Sequence, residues 1–240
     1  MPSHLVFVTG ASSGIGRALV RAVPWRSARV VDISRRGGAG VEHLRADLAD
    51  PAAWPAVAAF FADAMKGFDG EGVYCIHCAG TLDPMGFAGE VDARGYARQV
   101  LLNSAAPQVV GDAFLRAARE TRAPCTLLLI SSGAASHAYE GWSAYCAGKA
   151  AVDHWVRTVG AEQSRRGGRI RVAAVAPGIV ETAMQVRIRA TAERDFPDVE
   201  RFRALHAEGA LKTPDEAARE LWALLRAGLE NGSVLDLRRP

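Results

Sequence analysis

Tyr145 and Lys149 stand four residues apart in GWSAYCAGKAAVDH, residues 141–154, and both types are scarce. The 240-residue chain has four tyrosines, and three lysines against 26 arginines. On a helix that spacing puts the two side chains on one face, one turn apart. A phenol has a reference pKa near ~10, and an ammonium beside it favours the phenolate and lowers that value. Such a pair can hand a proton to an oxygen that is gaining negative charge. Lys brings a compact, rotatable charge where Arg would bring a rigid fork. In a chain that otherwise carries its positive charge on Arg, the choice asks for a chemical reason, although the spacing alone is only a hypothesis.

A second feature is the turn TGASSGIG, residues 9–16, between an apolar strand-like run and a helical one. Gly10 permits the turn, and Gly14 and Gly16 let backbone come close to a pyrophosphate at a helix N-terminus. Free N–H groups and the helix dipole favour an anion there. The next apolar run ends VVDISRR. In a dinucleotide site a carboxylate at this point selects a free ribose 2′-OH, and an Arg accepts a 2′-phosphate. Asp32 is the candidate carboxylate, but it sits two residues short of the strand end. Ser34 and Arg35 occupy the tip, and Arg17 and Arg36 can add charge. The pattern favours NADPH, with solvated loop charge as the plain reading of Arg35 and Arg36.

TGASSGIG, HCAG at 77–80, Asn103, Ser132, YCAGK at 145–149 and PGIVET at 177–182 follow one another as in the short-chain dehydrogenase/reductase family. The resemblance covers essentially the whole chain, and GWSAYCAGKAA resembles the sepiapterin reductase and benzil reductase branch more than the family at large. It implies an NADPH-dependent (NADP-linked) carbonyl reductase acting on a ketone or 1,2-diketone, with sepiapterin reduction as the alternative. It assigns Tyr145 as proton donor, Ser132 as holder of the substrate oxygen, with Ser131 as the competing choice, and Lys149 on the nicotinamide ribose. Asn103 orders a water that contacts Lys149. In a helix interior Asn is unfavourable, so a kink or local cap is the competing reading.

The same resemblance assigns the cofactor contacts. Gly10, Ala11, Ser12, Ser13, Gly14, Ile15 and Gly16 form the phosphate turn, followed by Ser34 and Arg35. Asp47 and Leu48 lie at the adenine, and Ala79 and Gly80 at the ribose. Pro177, Gly178, Val180 and Thr182 lie at the nicotinamide, with Lys149. Substrate contacts are assigned to Ser132, Trp142, Tyr145, Gly178, Met184 and Asp236, the last resembling a carboxylate that binds the amino-pyrimidine edge of a pterin. His77 and Cys78 stand where the family commonly has two Asn, the second of which ties neighbouring strands. A homodimer or homotetramer pairing through 95–120 and 143–165 is implied. A catalytically idle NADPH-binding sensor or scaffold is the reading from another class. Such proteins usually lose the Tyr or the Lys, and both are present here.

These residues need a scaffold, and the apolar pattern supplies one. Strand-length runs (HLVFVTG, ARVVDIS, VEHLRADL, EGVYCIHCAG, PCTLLLISS, RIRVAAVAPG, GSVLDL) alternate with helical stretches. Asp50 with Pro51 and Thr213 with Pro214 and Glu216 read as helix starts. Near-continuous apolar strands alternating with helices mean a parallel sheet covered on both faces. The expectation is a single α/β Rossmann domain over 1–240, doubly wound, with about seven strands and with 183–210 as a substrate lid.

Composition excludes little else. The chain is 49% hydrophobic and 23% charged with a net charge of +3, an ordinary globular balance with no pull toward a polyanion. The basic cluster at 165–169 reads as a solvated loop, so no nucleic acid is expected. No apolar run approaches ~18–20 residues, so no membrane span is expected. MPSHLVFVTG lacks the pattern of a signal peptide, and the expected location is cytoplasmic. Cys75 and Cys78 on one strand point to opposite faces, so they read as buried thiols, and no metal is expected.

Overall fold

His4–Thr9 forms β1, six residues that are all buried. A strand with no polar alternation must be covered on both sides, and this one lies in the middle of the sheet. Its neighbours are β2 (Ala28–Ser34) and β4 (Gly72–His77), both parallel to it. The other strands are β3 (Glu42–Arg45), β5 (Cys125–Ile130), β6 (Ile170–Ala176) and β7 (Val234–Asp236). All pairings are parallel, and the order β3-β2-β1-β4-β5-β6-β7 reverses direction at β1. These findings come from a computed structural model that describes residues 2–38 and 40–238.

Alternate residues of the strands feed two cores. On one face Phe7, Cys75, Leu127 and Val172 pack under α2 (Trp54–Met65), α4 (Ala106–Ala117) and α5 (Ser143–Arg165). Phe61 of α2 is edge-on to both Phe7 and Phe114, at 5.0 and 5.8 Å. Truncating such a residue to Ala costs about 3–5 kcal/mol. On the other face Val8, Ile76, Leu128 and Val175 pack under α1 (Gly14–Arg21) and α8 (Pro214–Ala227). Cys75 belongs to the first core, while Cys78 packs against the second, as opposite-facing positions require.

The helix starts sit where their capping residues place them. Asp50 accepts from the Ala52 amide at 3.0 Å and opens a short 3₁₀ turn ahead of α2. Thr213 and Glu216 form a reciprocal capping box at the start of α8. The helical stretch that follows β4 is broken. It runs as α3 (Ala93–Val100), a π-turn at Leu101–Ala105, and α4. Pro107 has no N–H to give to the carbonyl of Asn103 four residues back, and its ring crowds that carbonyl. The wider π-turn accommodates both. Two further helices, α6 (Ala183–Arg189) and α7 (Val199–Ala207), pack through Ile188, Val199 and Phe202 in one cluster with Leu82, Trp142 and Tyr145. Among the described residues no helix is long and apolar enough to cross a membrane.

Candidate active site

At the C-terminal edge of the sheet, where strand order reverses, the chain leaves a cleft of about 540 Å³. This is where an open parallel sheet binds ligands. One wall is the first turn of α1. Gly10 and Gly14 have φ of +69° and +53°, a region that side chains strongly disfavour. Ser13 stands at the N-cap but makes no side-chain cap bond, and the first turn holds no acidic residue. The N–H groups there are thus left for an anion, which the helix dipole also favours. A dinucleotide pyrophosphate fits this cradle. Ser12, Ser13, Gly14, Ile15 and Gly16 line the cleft with Gly10. Ala11 does not. It is fully buried in the core beneath α1.

The inner end of the cleft holds Tyr145, Ser132 and Lys149. Tyr145 and Lys149 lie on α5, each 7% exposed. Lys149 Nζ donates to the Ile130 carbonyl at 2.7 Å and sits 5.7 Å from the Tyr145 ring centre. Burial pushes the Tyr145 phenol up to about 12, against a side-chain hydrogen bond with Ser132 that works the other way. Desolvation dominates, so the phenol lies above its ordinary value instead of below it. Burial likewise brings Lys149 down to about 8, opposed by the nearby Cys78 and Asp153.

Ser131 and Ser132 differ in their hydrogen-bond partners. Ser132 lines the cleft, and its Oγ accepts from the Ala134 amide at 3.2 Å. Ser131 also lines the cleft, but its hydroxyl is turned to the Asp153 carboxylate, to which it donates at 2.5 Å. Asn103 lies in the π-turn, 1% exposed, with its amide clamped on one residue: Oδ1 accepts from the Thr81 N–H at 3.0 Å and Nδ2 donates to the Thr81 carbonyl at 2.7 Å. Gly148 makes this arrangement possible. A Cβ there would come within 2.9 Å of the Asn103 Cβ, so only glycine lets α5 approach the π-turn.

At the outer end β2 finishes at Ser34, and Ser34, Arg35 and Arg36 line the cleft. Asp32, two residues back, is 1% exposed and faces the core under α1, away from the opening. Asp47 and Leu48 close that end. Burial would raise the Asp47 carboxyl, but Arg98 at 2.8 Å, the Ala49 N–H and the field of Arg35 hold it below the usual carboxylate range. Ala79, Gly80, Pro177, Gly178, Val180 and Thr182 line the stretch between the two ends.

Comparison with known proteins now decides the family. The family profile described as short chain dehydrogenase matches residues 4–193. The chain belongs to that family. It is 32% identical over 239 residues to the benzil reductase ((S)-benzoin forming) of Bacillus subtilis, covering 98% of each chain. It is 34% identical over 112 residues to the sepiapterin reductase of Mus musculus, which spans 46% of this chain. Among solved structures, a Saccharomyces cerevisiae short-chain dehydrogenase/reductase superposes with a TM-score of 0.82 at 24% identity, covering 99% of this chain and 97% of that one.

Within this short-chain dehydrogenase the departure at 77–78 is made good by another residue. Thr9 Oγ1 accepts from the Cys78 and Ala79 amides, both at 3.1 Å, and so ties β1 to the end of β4. His77 is buried, its ring nitrogens make no hydrogen bond among the described residues, and burial together with Lys149 brings it down to about 3, so it is a neutral ring.

An apolar cluster flanks Tyr145. Trp142, Leu82, Ile188 and Phe202 form one cluster that reaches the cleft wall, with Met184 and Tyr139 against it. Phe196 is fully buried and stacked on Trp142 at 4.4 Å. Asp236 does not line the cleft. Its carboxylate holds the guanidinium of Arg238, and Arg238 does line it. Sequence reasoning missed Thr9, Gly148, Asp153 and Arg238. Each acts through a contact distant in sequence or at the chain end, except that Asp153 carried a signal, standing one helical turn after Lys149.

Proposed function

We propose that the protein is an NADPH-dependent carbonyl reductase whose preferred substrates are aromatic 1,2-diketones of the benzil type. The observation that carries this reading is the convergence of Tyr145, Ser132 and Lys149 at the inner end of a dinucleotide cleft with an apolar wall. The full-length similarity to a benzil reductase supports the substrate class. When bound, the nicotinamide supplies a hydride to the carbonyl carbon. Ser132 holds the carbonyl oxygen, and Tyr145, kept protonated by its burial, gives that oxygen its proton. Lys149 holds the nicotinamide ribose with a compact charge. Asn103, beside which Gly148 lets α5 approach, orders a water that contacts Lys149 and returns the proton from bulk solvent.

Arg35 at the tip of β2 pairs with the 2′-phosphate, and Ser34 offers no carboxylate to select the free hydroxyl. Residues 183–210, which include α6 and α7, act as a lid over the substrate. The working unit is a homodimer or homotetramer. Val100 and Val109, both about 40% exposed on the α3–α4 surface, support pairing there.

Loss of NADPH absorbance with a panel of 1,2-diketones, simple ketones and pterins tests the reading directly. Turnover of diketones ahead of simple ketones is expected. Tight NADPH binding with no turnover across the panel would favour a sensor or scaffold instead.

A further inference from the structure

We propose that Arg238 is the residue that reads the second oxygen of a vicinal dicarbonyl, so that an acceptor on the carbon next to the reacting one is what the site selects. This rests on the carbonyl-reductase reading above and extends it to the choice among carbonyls.

Arg238 follows β7, and its side chain spans two loops of the cleft. Its stem lies against Gly178, where an added Cβ would stand 3.4 Å from Cγ and 3.9 Å from Cδ. Its guanidinium lies against Gly133, where an added Cβ would fall 3.1 Å from Cζ and 3.2 Å from Nη1. Gly178 belongs to the turn assigned to the nicotinamide, and Gly133 directly follows Ser132. The charge therefore sits beside the residue that holds the reacting oxygen. Any side chain at position 133 would occupy its place.

The guanidinium is held there. Its backbone N–H and Nε–H donate to Asp236 Oδ1 at 3.0 and 2.9 Å, and Nη2 donates to Oδ2 at 2.5 Å. Asp236 thus fixes the fork from behind, and its hydrogen bond is the main cause that raises Arg238 further above its ordinary value. Nη1 makes no hydrogen bond among the described residues, and the side chain, 34% exposed, lines the cleft. A planar donor of fixed charge with unused N–H groups, one residue from the oxygen-binding serine, suits a second acceptor adjacent to the first. The acceptor can be the other carbonyl of a diketone or the carboxylate of a 2-oxo acid. The same arrangement disfavours an amino-pyrimidine edge, because the carboxylate that would accept its N–H groups is already occupied by Arg238.

The test compares benzil with deoxybenzoin, which has the same two rings and one carbonyl, together with phenylglyoxylate. In Arg238→Met, kcat/KM for benzil should fall by roughly 10- to 100-fold, the scale of a charged hydrogen bond, and that for phenylglyoxylate by at least as much. The loss on deoxybenzoin should be several-fold smaller. Gly133→Ala, which displaces the guanidinium without removing it, should shift the same ratio in the same direction. Unchanged benzil-to-deoxybenzoin ratios in Arg238→Met would overturn the proposal, and an equal loss on both would show a merely structural side chain. If the parent reduces none of these compounds, the carbonyl-reductase reading fails by itself. Arg238 is then read from calorimetric binding of benzil and phenylglyoxylate to the NADP-loaded protein. Weaker binding of both in Arg238→Met supports the assignment, and unchanged binding overturns it.

Discussion

The two ends of the cleft are made alike, each from loops that leave the C-terminal edge of one parallel sheet, yet they treat charge in opposite ways. At the inner end Lys149 and Tyr145 are buried, and each titrates far from its ordinary range because water is excluded. At the outer end Arg35 and Arg36 are exposed, and Asp47 shares a solvent-accessible ion pair with Arg98. The inner end holds few groups in fixed positions, which is what proton transfer needs. The outer end offers charge that salt and water screen, which suffices for recognising a phosphate but contributes modestly. Mutations should therefore act on rate at one end and on cofactor choice at the other.

The sharpest way to break that contrast is Tyr145→Phe. Removing only the hydroxyl should lower turnover by roughly 10²–10⁴-fold, the range of general acid catalysis, with NADPH binding preserved by fluorescence titration. Turnover near that of the parent would place the acid elsewhere.

Lys149 comes next, and it couples rate to pH. Its folded-state value of about 8 lies below the ordinary 10.5. Between those values the unfolded chain holds the extra proton, so the contribution of this group to stability rises with pH through that window. Below it both states are protonated and the fold carries the full cost of the buried charge. The pH profile of kcat/KM should accordingly fall above about 8, set by Lys149 rather than by Tyr145 at about 12. Lys149→Met should melt higher than the parent at pH 7 while losing most of its activity. A lower melting temperature would mean that the ammonium stabilises the fold.

Arg35→Ala probes the outer end. KM for NADPH should rise about tenfold, one charge-assisted contact partly screened by solvent, while KM for NADH changes little. Equal changes for both cofactors would remove Arg35 from the phosphate site.

The smallest effect concerns Asp153, a positioning residue that touches neither ligand. Its carboxylate favours the charged form of Lys149 and takes the hydrogen bond of Ser131. Asp153→Asn keeps an acceptor for Ser131 and removes the charge, so the alkaline limb of the pH profile should move to lower pH with the maximum rate nearly retained. An unmoved limb would confine Asp153 to a structural role.

Much of this was legible in the chain before any coordinates. Alternating apolar runs and helical stretches dictated the doubly wound sheet, because a strand with no polar face can only be buried on both sides. TGASSGIG marked the tight turn from β1 into α1, since glycine readily accepts the backbone angles found at Gly10 and Gly14. The pair Tyr145 and Lys149 declared itself through helical spacing. These are local properties, fixed by residue type within a few positions.

The tertiary structure alone decided the rest. It sent the Ser131 hydroxyl to Asp153 and left that of Ser132 beside Tyr145, because where two adjacent side chains point depends on how the strand end is oriented. It turned the expected lowering of the Tyr145 phenol into a rise, because desolvation is set by everything packed around the ring. It took Ala11 and Phe196 into the core, and it placed Asp236 behind Arg238 instead of in the opening. A residue near the C-terminus comes to lie beside Ser132 only after β7 has paired with β6, and no spacing in the sequence records that distance.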